Sequence, residues 1–440
     1  MGIKGLAKLL ADEAPGCVKE VPLSSLQSRK IAIDASMAIY QFLIAVRSGG
    51  PNVAATMLTN ADGETTSHIQ GLFNRTIRYM TEGIRPVYVF DGKPPQFKSG
   101  ELLKRREKRE KAEKDLEAAM DSGNIEEQDK QSKRLVRAGQ KENNDCMDLL
   151  RLMGVPIVKA PCEAEAQCAA MANAGLVYAV ATEDMDALTF KTPVLLRKMT
   201  FVSGSKSDIQ TMSYPKAIQG LDITHDMFVD LCIMMGCDYC DTIRGIGPKT
   251  ALKLIREHKC IEEILKNIDR ERYHIPDSWI PNEARAKEEV AEKEREKELE
   301  GTDEEDNKDN KGDSQEQTKN TDEKLVPIYV EARRLFNFHE VLTKDEIDLK
   351  WLDCKPAELT KFLVEKCGFN ADRVKSSIER LQKAHKSSSK PQMRMDSFFA
   401  MKPSANAGKL AAKRKATALE AKKKGKGGSA KKSKGSFKKR

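Results

Sequence analysis

No stretch of this sequence approaches the roughly 18 consecutive apolar residues of a membrane span, and no apolar signal core stands near its start. A soluble protein is expected. Gly2 alone would suit myristoylation, but Leu6 stands where that signal wants Ser or Thr. The ten cysteines are scattered and build no zinc-finger array with the six histidines, and a disulfide framework is not indicated. Reduced thiols inside a cell fit best. Acid is scarce in one place: residues 401–440 carry about fifteen Lys or Arg against Glu420 alone. Of the formal net charge of +9, roughly +14 therefore lies in this tail, which leaves the body near −5. Attraction to nucleic acid within the body must come from local basic runs. Apolar side chains are absent from residues 301–324, so nothing there offsets the entropy of ordering. A disordered acidic insertion is expected over about 285–324.

What is present, in 440 residues of which 39% are apolar, suffices for one large core or two ordinary ones. Short Val- and Ile-rich runs read as buried strands: Ile31–Ile33, Val87–Phe90, Val155–Val158, Val177–Ala181 and Val194–Leu196. Their alternation with helical patterns predicts an α/β fold around a mostly parallel sheet. From Lys98 to about Asn144 the pattern predicts a long helix in which Lys, Arg and Glu crowd out any apolar stripe. Such a helix is either a solvated crossover or a structure projecting over a ligand. Phe228–Gly236 reads as an apolar helix, followed by Arg244-Gly245-Ile246-Gly247-Pro248-Lys249. A Gly-rich turn beside a helix N-terminus suits phosphate, although a plain helix-helix turn would also use these glycines. Apolar patterning resumes at Leu325 and completes a single globular domain, residues 1–384.

Three predicted strands lead into acid: Asp34 after Ile33, Asp91 after Phe90, and Asp184 and Asp186 after Ala181. In a parallel sheet such ends share one edge, where these folds bind ligand. One Asp after a strand is ordinarily a helix cap, but three coincidences are harder to dismiss. Glu163 and Glu165 follow Pro161 at a helix start; two residues apart, they would point roughly 200° apart on a regular helix. Both reach one site only from a loose first turn, or with one acting from behind the other. Asp238 is the seventh acid. Crowded carboxylates repel, divalent metal relieves them, and all-oxygen ligands select Mg²⁺ or Mn²⁺. Two such ions about 4 Å apart would activate water and steady the leaving oxygen in phosphodiester hydrolysis. Lys98, Lys104, Arg105 and Arg106 could neutralise charge developing on the phosphate.

Taken in order, Met1-Gly2-Ile3-Lys4-Gly5-Leu6, Asp34-Ala35-Ser36, Val89-Phe90-Asp91-Gly92-Lys93-Pro94-Pro95, Glu163-Ala164-Glu165-Ala166-Gln167, Glu183-Asp184-Met185-Asp186, Gly236-Cys237-Asp238-Tyr239 and Gly245-Ile246-Gly247-Pro248-Lys249 form a specific set. The chain resembles the eukaryotic flap endonucleases of the Rad2/XPG nuclease family over almost all of residues 1–400. The resemblance implies a PIN-like, resolvase-like sheet with an N-region over about 1–107, a helical arch over about 98–145 and an I-region over about 125–260. It implies a monomer that cuts branched DNA at the base of 5′ flaps, with 5′-3′ exonuclease activity, in Okazaki fragment maturation and long-patch base excision repair. Asp34, Asp91, Glu163, Glu165, Asp184, Asp186 and Asp238 would hold two Mg²⁺, with Mn²⁺ able to substitute. Lys98 and Arg105 would assist catalysis, Tyr40 would stack on a base, and Arg47 and Arg75 would hold phosphates. The Gly245 to Lys249 loop, with Gly247, would form a helix-two-turn-helix that grips duplex DNA with a K⁺ ion, and Glu163, Gly236 and Asp238 would also contact DNA.

Within the linker 385–400, Gln392-Met393-Arg394-Met395-Asp396-Ser397-Phe398-Phe399 matches the interaction box of the sliding clamp, PCNA. A short turn would set Met395, Phe398 and Phe399 on one side as an apolar plug beside Gln392. The basic clusters of the tail suit nuclear import or non-specific DNA contact. The resemblance implies a nuclear protein, in nucleolus and nucleoplasm, and leaves a mitochondrial fraction open. A junction-binding scaffold with structural metal is the rival reading, and it has no need of seven acids. A 5′ exonuclease of the same superfamily is the rival within enzymes, and the clamp box favours the flap enzyme.

Overall fold

The computed structural model describes residues 2–50, 53–93, 99–199, 209–279 and 326–388. Lys98, the acidic insertion, the clamp box and the basic tail lie outside the described residues. A seven-stranded sheet runs in the order β1-β9-β8-β7-β2-β5-β6, with β1 Val18–Val21, β2 Lys30–Asp34, β5 Arg85–Phe90, β6 Ile157–Lys159, β7 Ala179–Ala181, β8 Val194–Arg197 and β9 Ile209–Ser213. The strands β8, β7, β2, β5 and β6 are mutually parallel; β9 and β1 close one edge antiparallel. A ribbon of β3 Arg47–Gly50 and β4 Val53–Met57 stands apart.

The central strands read as unbroken apolar runs because both of their faces are covered. Ile31, Ile33, Tyr88 and Phe90 pack with α2 Ala35–Ala45, α3 Ser67–Thr81, α6 Gln140–Leu152 and the last helix, Ala371–Ser388. Ala32, Val87, Val89 and Val180 face the other way, onto α7 Ala164–Asn173. A further core joins α1 Leu6–Glu13, α8 Tyr214–Leu221, α9 His225–Met235, α10 Pro248–His258 and α11 Ile261–Asn267 with the helix Ile328–Asn337. No described helix is long and apolar enough to cross a membrane.

The stretch expected as one helix is broken. α4 Ser99–Asp121 ends at Ser122-Gly123-Asn124, and α5 Ile125–Arg134 folds back on it, burying Ala112, Ala119 and Gln131. Gly123 takes φ +67° and the Asn124 side chain caps α5 by accepting from Glu127 N, so a Ser-Gly-Asn turn signal ends the helix. The expectation that no face is core also fails from Gln140 onward, since α6 buries Cys146, Met147, Leu149 and Leu150.

An ion-pair cluster ties the segment after the insertion to the helices before it. Arg333 on Ile328–Asn337 clasps Asp230 of α9 through Nε–Oδ1 at 2.7 Å and Nη2–Oδ2 at 2.9 Å, and Glu262 of α11 at 2.8 and 3.1 Å. Asp230 is 3% exposed in its side chain, and burial pushes its carboxyl above the ordinary range against the pull of Arg333. Arg333→Met strands that acid. Stability should fall by about 2 kcal/mol, less than for a wholly buried pair because Glu262 stays partly solvated. Urea titration measures it, and an unchanged midpoint would refute the tether.

Candidate active site

Four adjacent parallel strands deliver acids to one edge. Asp34 ends β2, Asp91 follows β5, Glu163 follows β6, and Asp184 and Asp186 follow β7. Asp34 does cap a helix, accepting from Met37 N of α2 at 3.0 Å, and its second oxygen accepts from the Thr182 hydroxyl at 3.0 Å. Thr182 in turn accepts from Asp184 N, and Asp184 Oδ1 accepts from Asp186 N, both at 3.1 Å. A backbone of hydrogen bonds thus links the ends of β2 and β7. On the other side, Asp91 accepts from Ala164 N at 2.8 Å, so the acid after β5 caps α7. Close approach of the backbones permits this, for a Cβ on Gly92 would stand 2.2 Å from the Pro161 carbonyl oxygen.

The geometry of the two glutamates answers the question of their spacing. Glu163 is the cap residue of α7, with φ −87° and ψ 134°, while Glu165 lies in its first turn. The helical angle between them does not apply. Glu163 accepts from the Tyr239 hydroxyl. Asp238 enters from the segment after α9 and meets Arg105 of α4, Nη2 to Oδ2 at 2.6 Å.

Burial and like charge act on this cluster together. Asp34 is pushed up to about 7, first by burial and then by Asp91, with Asp184 adding to it. Asp186 is raised by burial, then by Asp184, Asp238 and Glu165. Carboxylates that raise one another are the donor set a hard divalent cation relieves. Among the described residues no three His, Cys, Asp or Glu side chains are gathered closely enough to hold a metal ion as they stand.

Other expected site residues take distinct places. Arg106 pairs with Glu110 on its own helix. Arg47 is turned onto α5, bonding the Ser132 hydroxyl at 2.9 Å and lying 3.8 Å from Asp129, with its side chain 6% exposed. Tyr40 is half-buried on α2, and Arg75 is half-buried on α3 near Tyr79 and Tyr88. Gly236 takes φ +107° and Gly245 φ +92°, conformations open to glycine. Gly247 has no such demand, and nothing lies within 4 Å of a Cβ built there, at the start of α10. Lys249 is exposed, 3.7 Å from Asp12.

Sequence reasoning missed three contributors. Thr182 and Tyr239 orient acids; Thr182 carries no motif signal, and the Gly236–Tyr239 motif points to Asp238 without assigning Tyr239 a role. The third is the chain's start: Ile3 N donates to Asp186 Oδ1 at 2.9 Å, and a Cβ on Gly2 would fall 1.9 Å from Asp184 Oδ1. Gly2 and Ile3 belong to the Met1–Leu6 motif, but that motif does not name a partner some 180 residues on. Cys237 and Cys240, a C-x-x-C pair around Asp238, were also passed over among the scattered cysteines.

The sequence model described as the XPG N-terminal domain matches residues 1–112, and that of the XPG I-region matches residues 154–238. Flap endonuclease 1 of Phaeodactylum tricornutum (strain CCAP 1055/1) is 65% identical over 425 residues, covering 96% of this chain and 97% of that one. This chain belongs to the flap endonuclease family. Flap endonuclease 1 of Phytophthora infestans (strain T30-4) is 50% identical over 96% of the chain and 98% of its own length. Among solved structures, the flap endonuclease-1 from Methanococcus jannaschii superposes with TM-score 0.58 at 28% identity, over 88% of this chain and 99% of that one. The catalytic core of Rad2 in complex with DNA substrate, at TM-score 0.56 and 22% identity over 84% of this chain and 98% of its own, shares the fold. The flap endonuclease frame thus agrees with the mixed sheet and flanking helices seen here, and the acids belong to a nuclease acting on DNA.

Proposed function

We propose that this chain hydrolyses phosphodiesters at the base of 5′ single-stranded flaps, with a 5′-3′ exonuclease activity, in Okazaki fragment maturation and long-patch base excision repair. The observation that carries this reading is the delivery of Asp34, Asp91, Glu163, Asp184 and Asp186 to one sheet edge by four adjacent strands, with Glu165 and Asp238 acting electrostatically on Asp186 and Arg105 against Asp238. The names of its relatives support the flap as substrate. Asp34, Asp91, Glu163, Glu165, Asp184, Asp186 and Asp238 would hold two Mg²⁺, or Mn²⁺ in their place. Bound there, the ions supply a deprotonated water and a Lewis acid for the phosphate.

The protein's own groups do the rest. Thr182, Tyr239 and Ile3 N hold their carboxylates in fixed directions, so little reorganisation remains when the phosphate arrives. Arg105 sits against Asp238 and can shift to the charge that develops on the phosphate; Lys98 is proposed to assist it. The α4–α5 hairpin is proposed as the arch through which the flap passes. Tyr40 would stack on a base and Arg75 would hold a phosphate, as would Arg47 once it exchanges Ser132 and Asp129 for DNA. The Gly245–Lys249 turn would take duplex phosphates and a K⁺.

Flap, nicked and gapped duplexes with labelled 5′ ends test this directly in Mg²⁺ and in chelator. Metal-dependent release of the flap is expected, and tight binding without cutting would instead support a junction-binding scaffold. We also propose a monomer in the nucleus that docks on PCNA through Gln392, Met395, Phe398 and Phe399. Replacing both phenylalanines by alanine should abolish stimulation by the clamp and leave clamp-free cleavage almost unchanged, because the box contributes none of the residues proposed for the site. Equal losses with and without clamp would remove that separation of roles.

A further inference from the structure

The turn that carries Asp238 is bracketed by two thiols. Cys237 and Cys240 pair across it as an isolated antiparallel bridge, and their Sγ atoms lie 3.6 Å apart. Residues that close a four-residue turn hold their Cα atoms within about 7 Å, and a disulfide asks for little less. The sulfurs need only approach to about 2.05 Å. Both thiols are partly exposed, whereas Cys146, Cys168 and Cys232 are buried.

We propose that Cys237 and Cys240 are a reversible disulfide site, oxidised by peroxide, whose closure switches off the nuclease. The first thiol attacks the peroxide oxygen-oxygen bond, becomes a sulfenic acid and releases water or the corresponding alcohol. The sulfur of the second displaces the hydroxyl from the sulfenic acid; the S–S bond forms and a further water leaves with the remaining thiol proton. Two electrons pass from the pair of sulfurs to the peroxide. A dithiol reductant reverses the reaction.

Closure reaches the active site because both residues inside the turn touch it. Asp238 meets Arg105, and the Tyr239 hydroxyl holds Glu163. Bringing the two sulfurs from 3.6 Å to bonding distance locks the turn between them and re-aims both, and a misplacement of about 1 Å in such a site costs on the order of 10²-fold in rate. Bond formation stands on the thiol geometry alone, whereas its effect on cleavage rests on reading Asp238 and Glu163 as metal ligands.

The test exposes the full chain to hydrogen peroxide, blocks remaining thiols with iodoacetamide and follows both peptide mass and flap cleavage. A peptide spanning 237–240 that is two hydrogens lighter and unalkylated is expected, with cleavage lower by about 10²-fold and restored by dithiothreitol. Cys240→Ser should cleave normally through the same exposure. Cys162→Ser should not be protected, although Cys162 adjoins Glu163 and sits 3.7 Å from Glu340. Alkylation of both Cys237 and Cys240 after peroxide, or equal loss in Cys240→Ser, overturns the proposal. A disulfide that forms while cleavage persists overturns the switch. If the untreated chain cuts no flap, the reading of the site fails, and the mass shift still decides the disulfide.

Discussion

Asp186→Ala is expected to lower flap cleavage by at least about 10³-fold in kcat while leaving binding of flap DNA near normal. Asp186 is 7% exposed and sits where β7 delivers its acids, with Asp184 and Asp238 as neighbours. Positioning on DNA comes from phosphate contacts spread over the surface, and those survive the loss of one carboxylate. The variant carries a structural cost of its own, because Ile3 N loses its acceptor, worth about 1 kcal/mol. Asp186→Asn keeps an acceptor oxygen and removes only the charge. In chelator, that change should raise the melting temperature, since burial and like charge disfavour the native carboxylate. Single-turnover kinetics in Mg²⁺ and thermal melting in chelator separate the two effects. Near-normal cleavage by Asp186→Asn would remove this acid from the proposed metal site.

Gly2→Ala should cost on the order of 10²-fold in cleavage with little loss of fold. A Cβ there meets Asp184 Oδ1 at 1.9 Å and Asp186 Oδ1 at 2.2 Å, distances at which something must move. Gly2 also has φ +70°, a conformation that a side chain strains. The segment before α1 can yield more readily than the sheet edge, so the Ile3 contact to Asp186 loosens while the core stays packed. Gly16→Ala, where no heavy atom lies within 4 Å of the added carbon, serves as the control and should cleave like the parent. Circular dichroism reads the fold. Full activity in Gly2→Ala would show that the start of the chain merely lies over the acids.

The sequence by itself determined the central strands and the acids at their ends. Strands covered on both faces must be apolar throughout, so β2 and β5 announced themselves as continuous runs, and each ran straight into its carboxylate. It did not determine β1, where Val-Lys-Glu-Val at a sheet edge is half polar and only four residues long. Partners distant in sequence were equally silent. Asp238 reaches Arg105 across 133 positions and Ile3 reaches Asp186 across 183, contacts set by how helices pack against the sheet rather than by any local period. Tertiary structure also decided what locally equivalent residues became: Glu163 leaves the helix as its cap while Glu165 stays within it, and Arg47 turns onto α5. Local patterns specify an element because burial acts along each segment, whereas side-chain direction in a site depends on surfaces that only folding brings together.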